Sequence, residues 1–198
     1  MQNILNRQKE FFRSGATLPV KNRLEVLKKL KEVIQNREND ILDALHSDLG
    51  KSATEAYMCE VGLAISEISY FLKKLKKFAK DKTVFTPLTN FHSRSYIKSA
   101  PYGNVLIISP WNYPFLLSIE PLVDAIAAGN TVVLKPSAYS PATSKIVIEI
   151  VEDVFPQKYV AVVTGGREEN RYLLLMKFDY IFFTGSQNVG KEVLRSAS

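Results

Sequence analysis

The second half of the sequence alternates short, uninterrupted apolar runs with helical segments, and this alternation constrains the fold most. The apolar runs are Val105–Ile108, Thr131–Leu134, Tyr159–Val163 and Tyr180–Phe183. Strands without polar alternation are typical of a sheet that is buried on both faces. Strands that alternate with helices are expected to be parallel and joined by right-handed crossovers. The sequence therefore predicts an α/β fold with a doubly wound parallel sheet.

The residues before this region follow a helical pattern. Apolar residues lie at helical spacing from Val20 to Leu49, Gly50 is a plausible stop, and a second helical run extends from about Ser52 to Lys80. Ser93–Ser99 alternates loosely, which predicts an exposed strand. We expect the amino-terminal helices to pack on the parallel sheet.

Composition and charge narrow the function classes. The net charge is +6, but the lysines cluster on predicted helices, and neither an aromatic-interleaved basic stretch nor a zinc-type spacing indicates nucleic-acid or metal binding. A single cysteine, Cys59, forms no internal disulfide and suits a reducing cytoplasm. The polar start of the chain lacks a signal-peptide core, and no apolar stretch predicts a membrane span. Cys59 and His46 lie within predicted helices, so we interpret both as structural.

Topology predicts where a ligand would bind. In a doubly wound sheet of order 3-2-1-4, the first and fourth strands are neighbours, and ligands bind at their carboxyl ends. These ends continue into Ser109–Asn112 and Thr184–Ser186. The two loops are therefore the predicted site.

Polar and glycine residues at these strand ends have two interpretations each. Ser186 could bind a phosphate together with the free amides of the helix that it begins, or it could simply cap that helix. Gly185 and Gly190 would allow close approach of backbone to ligand or sheet. Lys135, at the end of the second strand, could reach a ribose or a phosphate, or could extend into solvent. Gly166 could adjoin an adenine ring or form a plain turn.

Asn112 lies between two prolines, Pro110 and Pro114, that fix the backbone around it. An amide held in this way can donate to a developing oxyanion. The alternative is a turn amide that satisfies its own loop.

Taken together, these motifs resemble the aldehyde dehydrogenase superfamily. The resemblance rests on Pro110–Pro114, Ala127–Ser137 and Phe183–Ser186 with Val189 and Gly190. The stretch Leu45–Lys51, with Glu55, Ala56 and Glu60, is similar to the amino-terminal helices of class 3-type and fatty aldehyde dehydrogenases. The resemblance implies a Rossmann-like fold and NAD- or NADP-dependent oxidation of an aldehyde to a carboxylic acid.

The resemblance also implies roles for individual residues. Asn112 would be the catalytic oxyanion donor. Tyr113 and Leu117 would face the aldehyde. The cofactor would contact residues from all the strand ends, namely Ile108, Pro110, Trp111, Lys135, Ser137, Gly166, Thr184, Gly185, Ser186 and Val189. Members of the family are dimers or tetramers, which implies a homo-oligomer.

The resemblance divides the chain into residues 1–82, the amino-terminal helices, 83–103, a segment similar to the oligomerisation hairpin, and 104–198, a truncated cofactor-binding unit. The family's nucleophilic cysteine and its general-base glutamate lie downstream of the Phe183–Ser186 helix, so we expect the catalytic domain to be absent and this chain alone to be inactive. Ala138 stands where many members carry a ribose-binding glutamate. The alternative function is a short, non-catalytic protein that binds nucleotide or pairs with a full-length subunit.

Overall fold

A four-stranded parallel sheet forms the centre of the structure, a computed structural model that describes residues 1–198. Its strands are β3 (Asn104–Ile108), β4 (Thr131–Lys135), β5 (Val160–Val162) and β6 (Tyr180–Phe183). Their order is β5-β4-β3-β6, and every pairing is parallel. This is the predicted 3-2-1-4 order, so the first and fourth strands are neighbours.

Helices cover both faces of this sheet. The crossovers are α6 (Leu116–Ala128), α7 (Pro141–Val154) and α8 (Arg167–Leu174), and α9 (Gln187–Ala197) follows β6. The side chains of Val105, Ile107 and Leu134 join a core with α6 and α7, whereas Leu106 and Ile108 pack with α8 on the other face. The doubly wound α/β prediction is confirmed.

The amino-terminal helices pack on this unit. They are α1 (Gln2–Arg13), α2 (Val20–Asn36), α3 (Glu38–Leu49), α4 (Ala53–Ala56) and α5 (Gly62–Phe78). Buried residues of α2, α3 and α5 belong to the same core as α6 and α7. Gly50 ends α3 with φ 67°, as the stop signal predicted.

The two helical runs contain breaks that their apolar spacing does not show. Arg37 separates α2 from α3, with φ −108°, and its guanidinium pairs with Asp40 and with Glu149 of α7. A π-helical turn, Tyr57–Val61, lies between α4 and α5.

An antiparallel hairpin of β1 (Lys82–Val84) and β2 (Ser95–Ile97) projects from the helices. A 3₁₀ turn at Leu88–Asn90 lies between its strands. The side chains of Phe85, Leu88 and Phe91 are more than three-quarters exposed. The predicted exposed strand at Ser93–Ser99 is confirmed as β2.

One strand differs from the expectation of burial on both faces. In β6, Tyr180 and Phe182 are exposed, whereas Ile181 and Phe183 are half-buried. The reason is topological: β6 is an edge strand, and α6 and α7 do not extend over its outer half. None of the helices is long and apolar enough to span a bilayer.

Candidate functional site

The carboxyl ends of three strands lie level with one another. Ile108 of β3 is in register with Lys135 of β4 on one side and with Phe183 of β6 on the other. The ladder continues one residue further: Ser109 N donates to Lys135 O at 3.1 Å, and Thr184 N donates to Ile108 O at 3.1 Å. The loops that follow these strands therefore leave the same edge of the sheet.

Lys135 is buried at this edge, with 2% of its surface exposed. Its ammonium donates to Pro136 O at 2.9 Å and to no other acceptor of the chain. Burial lowers the pKa of Lys135, and the nearby charge of Glu169 partly opposes this. The alternative in which this side chain extends into solvent is wrong. Because an ammonium carries three donors, two remain for a ligand.

A recess of about 190 Å³ lies beside the end of β4. It is lined by Pro136, Ser137, Ala138, Pro141, Ser144, Lys145, Ile148, Thr164 and Gly165. Ser144 Oγ donates to Ser137 O at 2.8 Å, which holds the wall after the strand against α7. The recess joins the ends of β4 and β5 and has one cationic side chain, Lys145, at its rim.

The turn after β5 keeps its shape through two glycines and a carboxylate. Gly165 has φ 126°, and a Cβ there would collide with the Glu169 side chain. Glu169 Oε2 accepts from Gly166 N at 2.6 Å. Hydrogen bonds from the backbone amides of Glu169 and Gly166 lower the pKa of this carboxyl. The carboxylate thus occupies the amino end of α8.

Ser186 caps α9, because its Oγ accepts from Val189 N at 3.5 Å. Gly185 is required by packing, since a Cβ there would lie 2.5 Å from the Phe183 ring. Gly190 also faces this ring, at 3.4 Å. The capping interpretation is confirmed, and the amides of the first turn stay exposed at the sheet edge.

The loop from Pro110 to Phe115 presents three exposed side chains, those of Trp111, Asn112 and Tyr113. The side-chain amide of Asn112 makes no hydrogen bond within the chain; only its backbone oxygen does, as an acceptor from Lys51 Nζ at 3.1 Å. A turn amide that satisfies its own loop is therefore not what the structure shows. Leu117 follows in α6, and its carbonyl accepts from Ser109 Oγ at 2.9 Å.

Comparison with known proteins decides the family. The model of the aldehyde dehydrogenase family matches residues 1–198. The chain belongs to the aldehyde dehydrogenase family. The 4,4'-diaponeurosporen-aldehyde dehydrogenase of Staphylococcus aureus is 48% identical over 96% of this chain and 41% of its own length.

Further relatives are also aldehyde dehydrogenases. Aldehyde dehydrogenase family 3 member A2 of Macaca fascicularis is 42% identical over 100% of this chain and 41% of its own length. The substrate-bound structure of Staphylococcus aureus AldH matches 99% of this chain and 43% of its own, with TM-score 0.96 and 46% identity. The chain thus spans about two fifths of the length of these aldehyde dehydrogenases.

Sequence reasoning missed three residues near the site. Asp48 accepts from Ala142 N at 3.1 Å and from Thr143 N at 2.7 Å, and so caps α7 beside the recess. Lys51 and Glu60 form a buried ion pair that contacts the Asn112 loop. Leu45–Lys51 and Glu60 did contribute to the resemblance to aldehyde dehydrogenases. However, no local signal indicates their long-range partners.

Cys59, the one thiol of this aldehyde dehydrogenase chain, lies in the π-helical turn. It lies about 50 residues from the loop after β3 in the sequence. Its neighbour Glu60 nevertheless contacts the amides of Phe115 and Leu116. Sequence separation is therefore a poor measure of distance in this part of the fold.

Proposed function

We propose that this chain is the NAD(P)-binding, amino-terminal part of an enzyme that oxidises aldehydes to carboxylic acids. Membership of the aldehyde dehydrogenase family supports the reaction class. The observation that carries the proposal is Lys135, a buried ammonium with two free donors at the level edge of the sheet. A buried cation without a carboxylate partner is costly to maintain, which favours a ligand-binding role.

The residues present fit a dinucleotide. Ser137 borders the recess after β4, and Lys135 ends the strand directly before it, which suits the adenosine ribose. Gly166 lies beside the end of the recess that we assign to the adenine ring of the dinucleotide. Thr184, Gly185, Ser186 and Val189 present a helix amino end, where amide donors and the helix dipole favour a pyrophosphate. When bound, NAD or NADP supplies the hydride acceptor of the reaction.

The loop after β3 supplies the groups nearest to the chemistry. Asn112 has a free side-chain amide that can donate to an oxygen of the substrate as negative charge develops on it. We assign Ile108, Pro110 and Trp111 to the path of the nicotinamide, and Tyr113 and Leu117 to the aldehyde.

The β1–β2 hairpin suits a contact between subunits. Its exposed apolar side chains form a surface that a monomer rarely keeps open to water. We therefore propose a homo-oligomer in which this hairpin contributes to the interface.

An NMR titration of the ¹⁵N-labelled chain with NAD⁺ and with NADP⁺ tests the proposed function. We expect chemical-shift changes at Lys135, Gly166 and the 184–189 turn, with a dissociation constant of about 1 mM. Lys135→Met should weaken binding about tenfold, because one charge-assisted contact is lost. Lys21→Met, which removes an exposed lysine of α2, is the matched control. Saturable shifts elsewhere, or none at all, would refute the assignment.

A further inference from the structure

We propose that Lys51 and Glu60 are positioning residues that set the direction in which the loop after β3 presents Asn112. This inference rests on the proposed function for the role of Asn112, but not for the contacts themselves. Lys51 contacts the backbone of Asn112 and the ring of Tyr113, and Glu60 contacts the amides of Phe115 and Leu116. They act through the backbone of residues 112–116.

The ion pair is buried almost completely. The side chain of Lys51 is 9% exposed and that of Glu60 is 0% exposed. Removing two charges from water is costly unless hydrogen bonds satisfy both groups. Here Lys51 Nζ donates to Glu60 Oε1, and the remaining bonds of both groups go to the loop.

Glu60 holds the end of the loop where α6 begins. Its Oε2 accepts from Phe115 N at 2.9 Å and from Leu116 N at 3.1 Å. These amides lie at the amino end of a helix, where the backbone dipole favours a negative charge. The carboxylate therefore fixes the place at which the loop becomes helix.

Lys51 holds the start of the same segment. Its Nζ donates to Asn112 O at 3.1 Å and lies 4.1 Å from the centroid of the Tyr113 ring. Asn112 makes no side-chain hydrogen bond that could orient it. Its side-chain direction therefore follows from its backbone, which Lys51 and Glu60 fix from both ends.

The π-helical turn places Glu60 for this task. Gly62 N donates to Tyr57 O, the i→i−5 bond of such a turn. A Cβ on Gly62 would lie 3.0 Å from Tyr57 O, so the glycine gives this turn its room. Lys51 reaches the Glu60 carboxylate because Gly50, in the left-handed conformation, turns the chain at the end of α3.

Trp111 makes the proposal testable, since it is the only tryptophan of the chain and lies beside Asn112. Its fluorescence reports the loop without any cofactor. We expect Glu60→Gln and Lys51→Met to shift the Trp111 emission maximum and change its acrylamide quenching. The Asn112 side-chain NMR signals should move, and the amides of Phe115 and Leu116 should exchange about tenfold faster. Amides of β3 should keep their protection.

Matched controls separate positioning from general stability. Lys21→Met and Glu25→Gln break an exposed lysine–glutamate pair on α2 and should leave all these signals unchanged. Lys51→Arg retains the charge and gives a second test if Lys51→Met does not fold. It should keep the protection of Phe115 and Leu116 but alter Trp111, because a guanidinium cannot repeat the ammonium geometry.

The proposal is overturned if the folded variants keep the Trp111 spectrum and the Asn112 signals of the parent chain. Equal loss of protection at Phe115, Leu116 and β3 would also overturn it, since that pattern indicates global destabilisation. A moved loop in a chain that binds neither NAD⁺ nor NADP⁺ would refute the proposed function and leave the positioning of the loop intact.

Discussion

At the scale of single residues, the proposed ribose site beside β4 gives a prediction about which cofactor is preferred. Ala138 brings no carboxylate to the recess beside β4, and Lys145 brings a cation to the same recess. A carboxylate would repel a ribose 2′-phosphate, whereas a cation would attract it. The chain should therefore tolerate NADP as well as NAD.

Ala138→Glu should shift the preference toward NAD by about tenfold, since a charge-assisted contact is worth about 1.5–3 kcal/mol and this position is open to solvent. The measurement is a titration of the chain with adenosine 2′,5′-bisphosphate and with AMP. Ala100→Glu adds the same charge at an exposed position outside this recess and is the control. An unchanged ratio of the two affinities would mean that residue 138 does not adjoin the ribose.

Asp124 gives a prediction about pH. Partial desolvation, together with the charges of Glu67 and Glu120, raises the pKa of Asp124 to about 6, although the residue keeps an exposed surface. The folded state therefore takes up a proton more readily than the unfolded state, whose aspartate pKa is about 3.9. The free energy of unfolding therefore falls as the pH rises from about 4 to about 6, because the folded state must give up this proton. Above about pH 6 the loss of stability is complete.

Asp124→Asn should accordingly stabilise the chain at neutral pH by about 1 kcal/mol, a value reduced for the solvent exposure of the carboxylate. Urea unfolding of parent and variant between neutral pH and pH 4 measures it. The difference between the two should shrink toward the acid end, because the parent is then protonated. A constant difference over this range would contradict the raised pKa.

At the scale of secondary-structure elements, α3 supports the recess through α7. Asp48, near the end of α3, accepts two amides of the first turn of α7. The cap comes from a different helix, so it joins the amino-terminal helices to the unit built around the parallel sheet. The loop between β4 and α7 is therefore fixed at both of its ends.

Asp48→Ala should cost about 1–2 kcal/mol, the usual loss when a helix cap is removed. Chemical denaturation gives the free energy of unfolding. Hydrogen exchange should show faster exchange at Ala142 and Thr143. Asp43→Ala, which removes an exposed carboxylate from the same helix, should change little. Equal effects of the two substitutions would show that Asp48 is not a specific cap.

The edge strand β6 predicts self-association of the isolated chain. Its outer side has no strand partner, and Tyr180 and Phe182 are exposed beside it. An open apolar edge is a template for pairing. Sedimentation velocity should show association that rises with concentration, and Phe182→Lys should reduce it.

Leu88→Lys distinguishes this edge from the β1–β2 hairpin, where Leu88 is 86% exposed. If only Leu88→Lys reduces association, the hairpin rather than β6 is responsible. If the parent chain remains monomeric at high concentration, neither β6 nor the hairpin mediates self-association, and the prediction is wrong.

At the scale of the whole molecule, binding and catalysis should be separable. We expect the purified chain to bind NAD(P) weakly and not to oxidise aldehydes. In its proposed role, Asn112 would stabilise charge that appears only after a nucleophile attacks, and one such donor is worth about 3–4 kcal/mol in an intact site. The measurement is aldehyde-dependent formation of NADH or NADPH. Turnover above buffer would contradict this, and its loss in Cys59→Ser would identify the nucleophile.

The sequence alone determined the sheet and which strand ends lie side by side at its edge. Apolar runs of strand length and glycine stops can be recognised from neighbouring residues, because each buried position requires an apolar side chain whatever its distant partners are. Strand order then followed from topology, which placed the loops after β3 and β6 side by side. These predictions needed no contact between distant residues.

Only the tertiary structure decided the polar contacts that shape the site. Lys51 and Glu60 meet Asn112, Phe115 and Leu116 across more than 50 residues of sequence, and Asp48 meets Ala142 and Thr143 across more than 90. The sequence did not decide whether the Lys135 side chain lies in solvent or in the interior, because its burial depends on the strands that flank β4. Such contacts depend on how helices pack in three dimensions, and a polar residue in the sequence gives no local sign of its distant partner.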